Sequence, residues 1–198
     1  MPTELKSREE IDARFKWNLA NLYADDAAWE AEIARVQGML PETRSFQGHL
    51  AEGPEMVARW LEHMQELILL MGKIHVYASC AHAVDTTDQH AAGLNARAMG
   101  LYAQVMGAAA FSEPELLEIG PDKLKGWANE HEALGIYTQY FDQLARKAEH
   151  LRSAEVETLL GELMDPFGTA TSIHGVLANA DLQFRPASAG PDTPELPV

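Results

Sequence analysis

His131 and Glu132 are the residues whose types and order come nearest to a catalytic motif in this sequence. In a His-Glu-x-x-His helix, two imidazoles one turn apart bind a zinc ion and the glutamate activates a water molecule. The fourth residue after His131 is Gly135, so the second imidazole is missing. We therefore interpret His131 as a surface residue at a helix junction rather than as a zinc ligand.

Two other histidines, His75 and His82, lie seven residues apart and therefore share one face of a helix. Two helical turns separate them by about 10 Å, which is too far for both to bind one ion without ligands from elsewhere. Asp85 and Asp88 follow closely in the sequence. We nevertheless expect these histidines to have a mixed role in core packing and hydrogen bonding.

Acidic residues on helices can also build a carboxylate di-metal site. The candidates here are Glu62, Glu66, Asp85 and Asp88. Such bundles also need Glu-x-x-His pairs, which this sequence lacks, so we expect the four carboxylates to lie on solvated helix surface. The sequence also lacks a glycine-rich phosphate loop and a Gly-x-Ser-x-Gly elbow. It therefore predicts no catalytic residue, no metal ligand and no cofactor within this chain.

The single cysteine, Cys80, excludes an internal disulfide and favours a reducing, cytoplasmic location. Its neighbours are small, and no basic residue is placed to lower the pKa of its thiol, so it is interpreted as a small buried hydrophobe. The charged N-terminus has no apolar core typical of a signal peptide. The longest apolar run, residues 67–71, is too short to cross a bilayer, so a membrane partner is not expected.

Composition favours a folded acidic domain. Of 198 residues, 46% are hydrophobic, which is enough for a core in one ordinary domain or two small helical subdomains. The chain carries 15 Lys and Arg against 30 Asp and Glu, for a formal net charge of -15. Because this charge repels phosphate backbones and anionic lipid, nucleic acid and membrane surfaces are not expected partners.

Helical periodicity dominates the sequence and predicts an all-α fold, an antiparallel helical bundle or array. A helix over residues 27–40, ended by Pro41, carries one apolar stripe, and a long helix over residues 55–83 carries another. A third helix, starting near Thr87, returns to form an antiparallel hairpin with the second. The predicted core stripes are Trp29, Ile33, Val36 and Leu40; Val57, Trp60, Met64, Ile68, Met71, His75 and Ala78; and Ala91, Leu94, Ala98, Leu101, Val105 and Ala108.

Two capping boxes and several shorter helices complete this interpretation. Thr86 with Gln89, and Ser112 with Glu115, have the spacing of reciprocal caps at helix starts. Shorter helices are predicted through residue 117, around residues 124–127, and over residues 134–147, 153–163 and 167–177. One short strand is predicted near Asp181 to Arg185. The methionines at helical spacing are interpreted as core residues: Met56, Met64, Met71, Met99 and Met106.

The third helix also carries a seam of small residues. They recur in steps of three and four: Gly93, Ala96, Gly100, Ala103, Gly107 and Ala110. Each helical glycine costs about 1 kcal/mol relative to alanine, so helix propensity does not explain them. Close approach of another helix does. An intramolecular helix contact is the simpler interpretation, and a surface for a partner is the alternative.

Taken together, short motifs along the chain resemble one known family. The segments are WNLANLY followed by DDAAW, Tyr77-Ala78, Asp85-Thr86 with Asp88, residues 94–97, AFSEPELLEI, Trp127, Tyr137, Tyr140, Leu144, Arg146, His150-Leu151, Ser153, EVETLL and NADLQF. In this order they resemble the N-terminal region of oligoendopeptidase F, a family M3 zinc metallopeptidase. Each motif alone is weak, but their ordered sum is specific.

The resemblance implies a mostly helical part of a zinc peptidase that cuts short peptides inside a channel. It implies that this region forms one wall of the channel, and that zinc ligands and the catalytic glutamate belong to a His-Glu-x-x-His helix in a longer C-terminal part. None of those positions exists in this sequence. The resemblance therefore implies hydrolysis by a full-length parent, with short peptides and the catalytic domain as partners, and no activity of this chain alone.

The resemblance ends after Phe184, where a proline-rich stretch follows. We therefore predict residues 1–111 as an N-terminal helical subdomain with the long hairpin, 112–185 as a second helical subdomain, and 186–198 as a disordered or truncated tail. The expected function is that of a non-catalytic N-terminal domain truncated before the catalytic domain. The alternative is a stand-alone helical protein-interaction module that uses the small-residue seam.

Overall fold

The computed structural model describes residues 10–85 and 87–148, together with residues 163, 169, 173–175 and 177–178. Between residues 10 and 148 the α-helices are α1 (Asp26–Ser45), α2 (Pro54–Val84), α3 (Gln89–Ala109), α4 (Ser112–Ile119), α5 (Pro121–Glu130), α6 (Glu132–Gly135) and α7 (Thr138–Ala148). Short 3-10 helices occur at Ala13–Phe15, Leu19–Asn21 and Leu50–Glu52. Within the described ranges there is no strand, which confirms the all-α prediction.

The first three helices pack side by side in alternating directions. The start of α1 contacts the end of α2, because the Trp29 indole Nε1 donates to the Ile74 carbonyl at 3.0 Å. Farther along α1, Thr43 meets His63 near the start of α2. The Arg97 guanidinium of α3 pairs with the Glu30 carboxylate of α1. Helices α1 and α3 therefore run antiparallel to α2, as the predicted hairpin requires.

An ionic network joins the three helices at one end of this layer. The Asp26 carboxylate accepts hydrogen bonds from the Tyr77 hydroxyl at 2.8 Å and from His90 Nε2 at 2.6 Å. The bonds from Tyr77 and His90 lower the pKa of Asp26 below its ordinary value. Burial, followed by the bond to Asp26, raises the pKa of Tyr77 to about 12. Asp26 therefore stays ionised and Tyr77 stays protonated at neutral pH, so the hydrogen bond between them is kept.

The buried side chains form two hydrophobic clusters, and Met64 packs against both. The first cluster lies between α1, the C-terminal half of α2 and α3. The second lies between the segment after α1, the N-terminal half of α2 and the helices α4 to α7. Since α2 contributes to both clusters, it is the central helix of the fold. The subdomain boundary between residues 111 and 112 stays a prediction.

The predicted stripes of α1 and α3 are confirmed, because every residue named for them is buried. The predicted end of α1 at Pro41 is wrong, since the helix continues to Ser45 with Pro41 inside it. Proline removes one backbone donor from the helix ladder. Two side chains bond to carbonyls in the same turns: Thr43 Oγ1 donates to Met39 O at 3.0 Å, and Ser45 Oγ donates to Glu42 O at 2.7 Å. Burial of Thr43 and the following Phe46 also holds this last turn in place.

Both predicted capping boxes are wrong. Helix α3 begins at Gln89, and its cap is Asp88, whose carboxylate accepts from the backbone N–H groups of His90 and Ala91. Ser112 Oγ donates back to the Ala109 carbonyl instead of capping α4. The Glu115 carboxylate accepts from the backbone N–H of Gly48 at 2.6 Å and of Leu50 at 3.4 Å. The Glu115 side chain therefore makes a long-range contact with the segment after α1 instead of the predicted cap.

The α2 stripe is only partly confirmed. Val57, Trp60, Met71 and Ala78 are buried, but Ile68 and His75 are exposed. Residues outside the predicted stripe are buried instead, including Leu67, Leu70, Ile74 and Tyr77. Because α2 has apolar residues on more than one face, periodicity alone does not identify the face that packs against α1 and α3.

Helix α2 is also long and apolar enough, by length and composition, to cross a membrane. Its 18-residue window has a mean hydropathy of 1.4, with 28% of the window buried. This finding differs from the sequence argument, which considered only uninterrupted apolar runs. A central core helix passes the same criterion, and α2 buries Leu67 and Ile74 between its neighbours. We interpret α2 as the core helix of the bundle.

Several sequence predictions fall on the C-terminal part of the chain. Residues 163, 169, 173–175 and 177 are helical. The other residues of the helices predicted over 153–163 and 167–177 lie outside the described residues. The strand predicted near Asp181 to Arg185 and the tail predicted over residues 186–198 also lie outside them. These remain predictions.

Candidate functional site

An apolar groove lies over the middle of α2. Helix α2 forms its floor, the end of α3 one side, and α4 with α7 the other side. It encloses about 560 Å³, a volume typical of ligand sites. Its lining residues are Trp60, Leu61, Met64, Gln65, Ile68, Leu69, Met106, Ala109, Ala110, Ser112, Glu113, Tyr137 and Tyr140.

The groove exposes large apolar side chains to solvent. Ile68 is 57% exposed, Leu69 59% and Met106 44%. The prediction that Met99 and Met106 belong to the core is wrong, since both are exposed on the outer side of α3. Met71 is buried as predicted, and Met56 and Met64 are partly buried. The parts of α2 and α3 that border the groove thus carry apolar side chains that are exposed to solvent instead of packing in the hydrophobic core.

Polar groups are few and lie at the margins of the groove. The Tyr137 hydroxyl donates to the Gln65 side-chain carbonyl oxygen at 3.0 Å, bridging α2 to the segment before α7. Glu113 forms an ion pair with Lys147 of α7 at 2.6 Å. Burial, with a smaller effect of the Glu113 charge, raises the pKa of Tyr140. The Tyr140 phenol therefore stays protonated and uncharged at neutral pH.

A second, more polar depression lies beyond the Gln65–Tyr137 bridge, and both bridging residues line it too. It encloses about 370 Å³ and contains Glu55, Glu62 and Arg59. His131 Nε2 approaches the Glu55 carboxylate at 3.0 Å there. The Arg59 guanidinium lies over the Phe46 ring at 5.8 Å. Apolar and charged depressions therefore stand side by side along α2.

The candidate metal ligands do not converge. Among the residues that the structure describes, no group of three or more His, Cys, Asp or Glu side chains is placed to hold an ion. His75 is exposed and His82 half-buried, while His131 is half-buried between α5 and α6. Glu62, Glu66, Asp85 and Asp88 are exposed, as predicted. Cys80 is half-buried rather than buried.

The small-residue seam lies on the outer face of α3, opposite its core stripe. All six residues, Gly93, Ala96, Gly100, Ala103, Gly107 and Ala110, are exposed. A Cβ atom built on Gly93, Gly100 or Gly107 meets no atom within 4 Å. No helix in the described ranges packs against the seam, so its role in helix packing or partner binding stays a prediction.

Sequence reasoning missed the groove because its residues come from four helices far apart in the chain. Ile68 was assigned to the core and Leu69 was not singled out. The available signal was the excess of apolar residues on α2, which has a mean hydropathy of 1.4 over 18 residues. That signal shows that a helix has a second apolar face but not what surrounds it.

Comparison with known proteins agrees with the sequence resemblance. Residues 115–184 match the model of the family described as Oligopeptidase F. The chain is 30% identical over 181 residues to Oligopeptidase PepF of Bacillus subtilis, covering 91% of this chain and 27% of that protein. It is also 30% identical over 180 residues to the plasmid Oligoendopeptidase F of Lactococcus lactis subsp. cremoris, covering 90% of this chain and 30% of that protein.

A solved structure agrees as well. The fold matches the crystal structure of oligoendopeptidase-F from Enterococcus faecium with a TM-score of 0.71 and 27% identity, covering 82% of this chain and 32% of that one. The chain thus spans about 30% of the length of the curated relatives described above. Sequence and fold together identify it as a member of the oligopeptidase F family, corresponding to the N-terminal helical region of these proteins.

Proposed function

We propose that this chain is the non-catalytic N-terminal domain of an oligoendopeptidase F-like zinc metallopeptidase that hydrolyses short peptides, and that it forms one wall of the substrate channel. Support comes from the names of its relatives and from its match to less than a third of their length. The remaining part, with its catalytic domain, is the proposed partner. We place the whole assembly in the cytoplasm, without nucleic-acid or membrane partners.

The apolar groove is the observation that carries the wall proposal. It exposes Ile68, Leu69 and Met106 on a chain with a net charge of -15. Large exposed apolar patches commonly mark surfaces that face a ligand or another protein. A wall of a peptide channel needs such a surface on its inner side, and α2 with α3 supplies it on a rigid scaffold.

The residues that the structure describes do not fit a zinc site. Gly135 stands where the second histidine of a zinc helix is required, and the described side chains hold no cluster of three ligands. We therefore assign the zinc ion and the activation of water to the part of the relatives that this chain does not match. No step of hydrolysis is assigned to a residue here.

Hydrolysis is the test of this proposal. We expect purified chain with added zinc to leave an internally quenched short peptide intact. Bacillus subtilis Oligopeptidase PepF under the same conditions is the positive control. Zinc-stimulated cleavage by this chain that a chelator abolishes would overturn the proposal.

A stand-alone helical interaction module is the second candidate function. The exposed seam on α3 favours it, since a Cβ at Gly100 meets no atom within 4 Å. We expect Gly100→Leu to fold normally by circular dichroism, because the added side chain points into open space. If the chain self-associates through the seam, sedimentation velocity should show association in the wild type and its loss in Gly100→Leu. Equal behaviour of the two proteins would exclude self-association through the seam.

A further inference from the structure

The charges around the groove and the second depression are predominantly negative. Glu113 lines the groove, and Glu55 and Glu62 line the depression, against a single arginine, Arg59. Glu113 and Glu55 are already paired with Lys147 and His131. Glu62 is exposed and is left as the free carboxylate of this surface. A ligand with an apolar body and a basic group is complementary to this arrangement.

The spacing along α2 sets the distance between the two parts of such a ligand. Glu62 and Leu69 are seven residues apart, so they lie on the same face of the helix, about 10 Å apart along its axis. Three residues of extended peptide span roughly the same distance, at about 3.3 Å per residue. Gln65 lies between them, and its oxygen accepts the Tyr137 hydroxyl. Its amide N–H groups therefore remain as donors for a peptide carbonyl.

We propose that the groove binds a bulky apolar side chain of a short peptide, while Glu62 binds a basic side chain three residues away in the same peptide. This inference rests on the proposed function, because it assigns a side-chain preference to the proposed channel wall. The exposed ring of Tyr140 and the flexible Met106 suit a large side chain such as phenylalanine or leucine. The net charge of -15 argues against a second copy of this chain as the occupant.

Fluorescence anisotropy with labelled eight-residue peptides tests the proposal directly. The first peptide carries Phe-x-x-Arg in a glycine and serine background, and the two controls carry Phe-x-x-Glu and Ala-x-x-Arg. We expect saturable binding of the first peptide below about 1 mM and weaker binding of both controls. No saturable binding, or equal binding of all three peptides, would overturn the proposal.

Matched variants on α2 locate the site. Glu62→Gln should weaken binding of the Phe-x-x-Arg peptide roughly two- to fivefold, as expected for an exposed ion pair. Glu66→Gln is the control, because Glu66 is also exposed on α2 but pairs with Arg35 and lines neither depression. Equal effects of the two variants would show that binding follows overall charge rather than this site.

Ile68→Ala and Leu69→Ala test the apolar part, and both residues are sufficiently exposed for folding to be retained. We expect each to weaken the Phe peptide more than the Ala peptide. Sedimentation of the free chain tests whether a second copy of the chain occupies the groove instead. A dimer that Leu69→Ala disrupts, together with no peptide binding, would overturn the proposal in favour of that second copy. Because binding needs neither zinc nor cleavage, this result is independent of the hydrolysis test of the proposed function.

Discussion

Replacing Trp29 by alanine is expected to lower the free energy of unfolding by about 3–5 kcal/mol, the cost typical of removing a fully buried tryptophan. Trp29 is fully buried in the first hydrophobic cluster. Its ring stacks on Tyr77 at 6.3 Å, and the Arg97 guanidinium lies over it at 5.3 Å. This side chain of α1 thus contacts both α2 and α3. Urea unfolding followed by circular dichroism measures the loss of stability.

Trp29→Phe separates the ring from the hydrogen bond. Phenylalanine keeps most of the buried surface but cannot donate to the Ile74 carbonyl, a bond of 3.0 Å in the wild type. We expect this variant to lose less than Trp29→Ala, since a neutral hydrogen bond contributes about 0.5–1.5 kcal/mol net. A loss below about 1 kcal/mol for Trp29→Ala would contradict the position of Trp29 at the centre of the cluster.

Replacing Thr43 by valine is expected to cost about 1–3 kcal/mol because it leaves a buried donor unpaired. Thr43 is fully buried and His63 nearly so. The Thr43 hydroxyl donates to the Met39 carbonyl at 3.0 Å, so its only hydrogen is already used. His63 Nε2, at 2.9 Å from the same oxygen, must therefore be the donor of that second bond. Valine has nearly the same shape but cannot accept it.

Thr138→Val is the matched control, since Thr138 also donates to a carbonyl, that of Gly135, but is exposed. We expect its unfolding free energy to stay within about 0.5 kcal/mol of the wild type. Nitrogen NMR of His63 gives an independent check, because the assigned geometry requires a proton on Nε2. Equal stability of the two variants would show that the Thr43–His63 bond does not hold α1 against α2.

Periodicity in the sequence correctly predicted the buried positions of helices that have only one apolar face. Trp29, Ile33, Val36 and Leu40 on α1 are all buried, as is every residue of the α3 stripe. These helices pack with one face toward α2, so a period of 3.6 residues identifies that face correctly. The same reasoning failed on α2, where Ile68 is exposed, because a central helix has apolar residues on several faces.

Contacts between distant residues were beyond reach of local patterns. Glu115 has the spacing of a cap, yet its carboxylate binds the backbone at Gly48 and Leu50, more than sixty residues away. Pro41 is a stop signal for an isolated helix, but Thr43 and Phe46 hold the following turn in the core. Tertiary packing outweighed local preference at both places.

The groove could not be predicted from periodicity for the same reason. Tyr137, Glu113 and Met106 come from separate segments, and only the fold brings them together over Leu69 of α2. The family, in contrast, was recognisable from ordered motifs, and comparison confirms it over about 90% of the chain. The order of the motifs therefore identified the family, although the individual tertiary contacts could not be predicted from the sequence.

Peptide hydrolysis by the purified chain shows most directly whether this chain holds a catalytic centre. The chain, loaded with zinc, is incubated with a mixture of short peptides, and every product is identified by mass spectrometry beside Bacillus subtilis Oligopeptidase PepF. We expect cleaved peptides with the relative and none with this chain, because no described residues form a zinc site. Chelator-sensitive cleavage by this chain would contradict it and place a catalytic centre within these 198 residues.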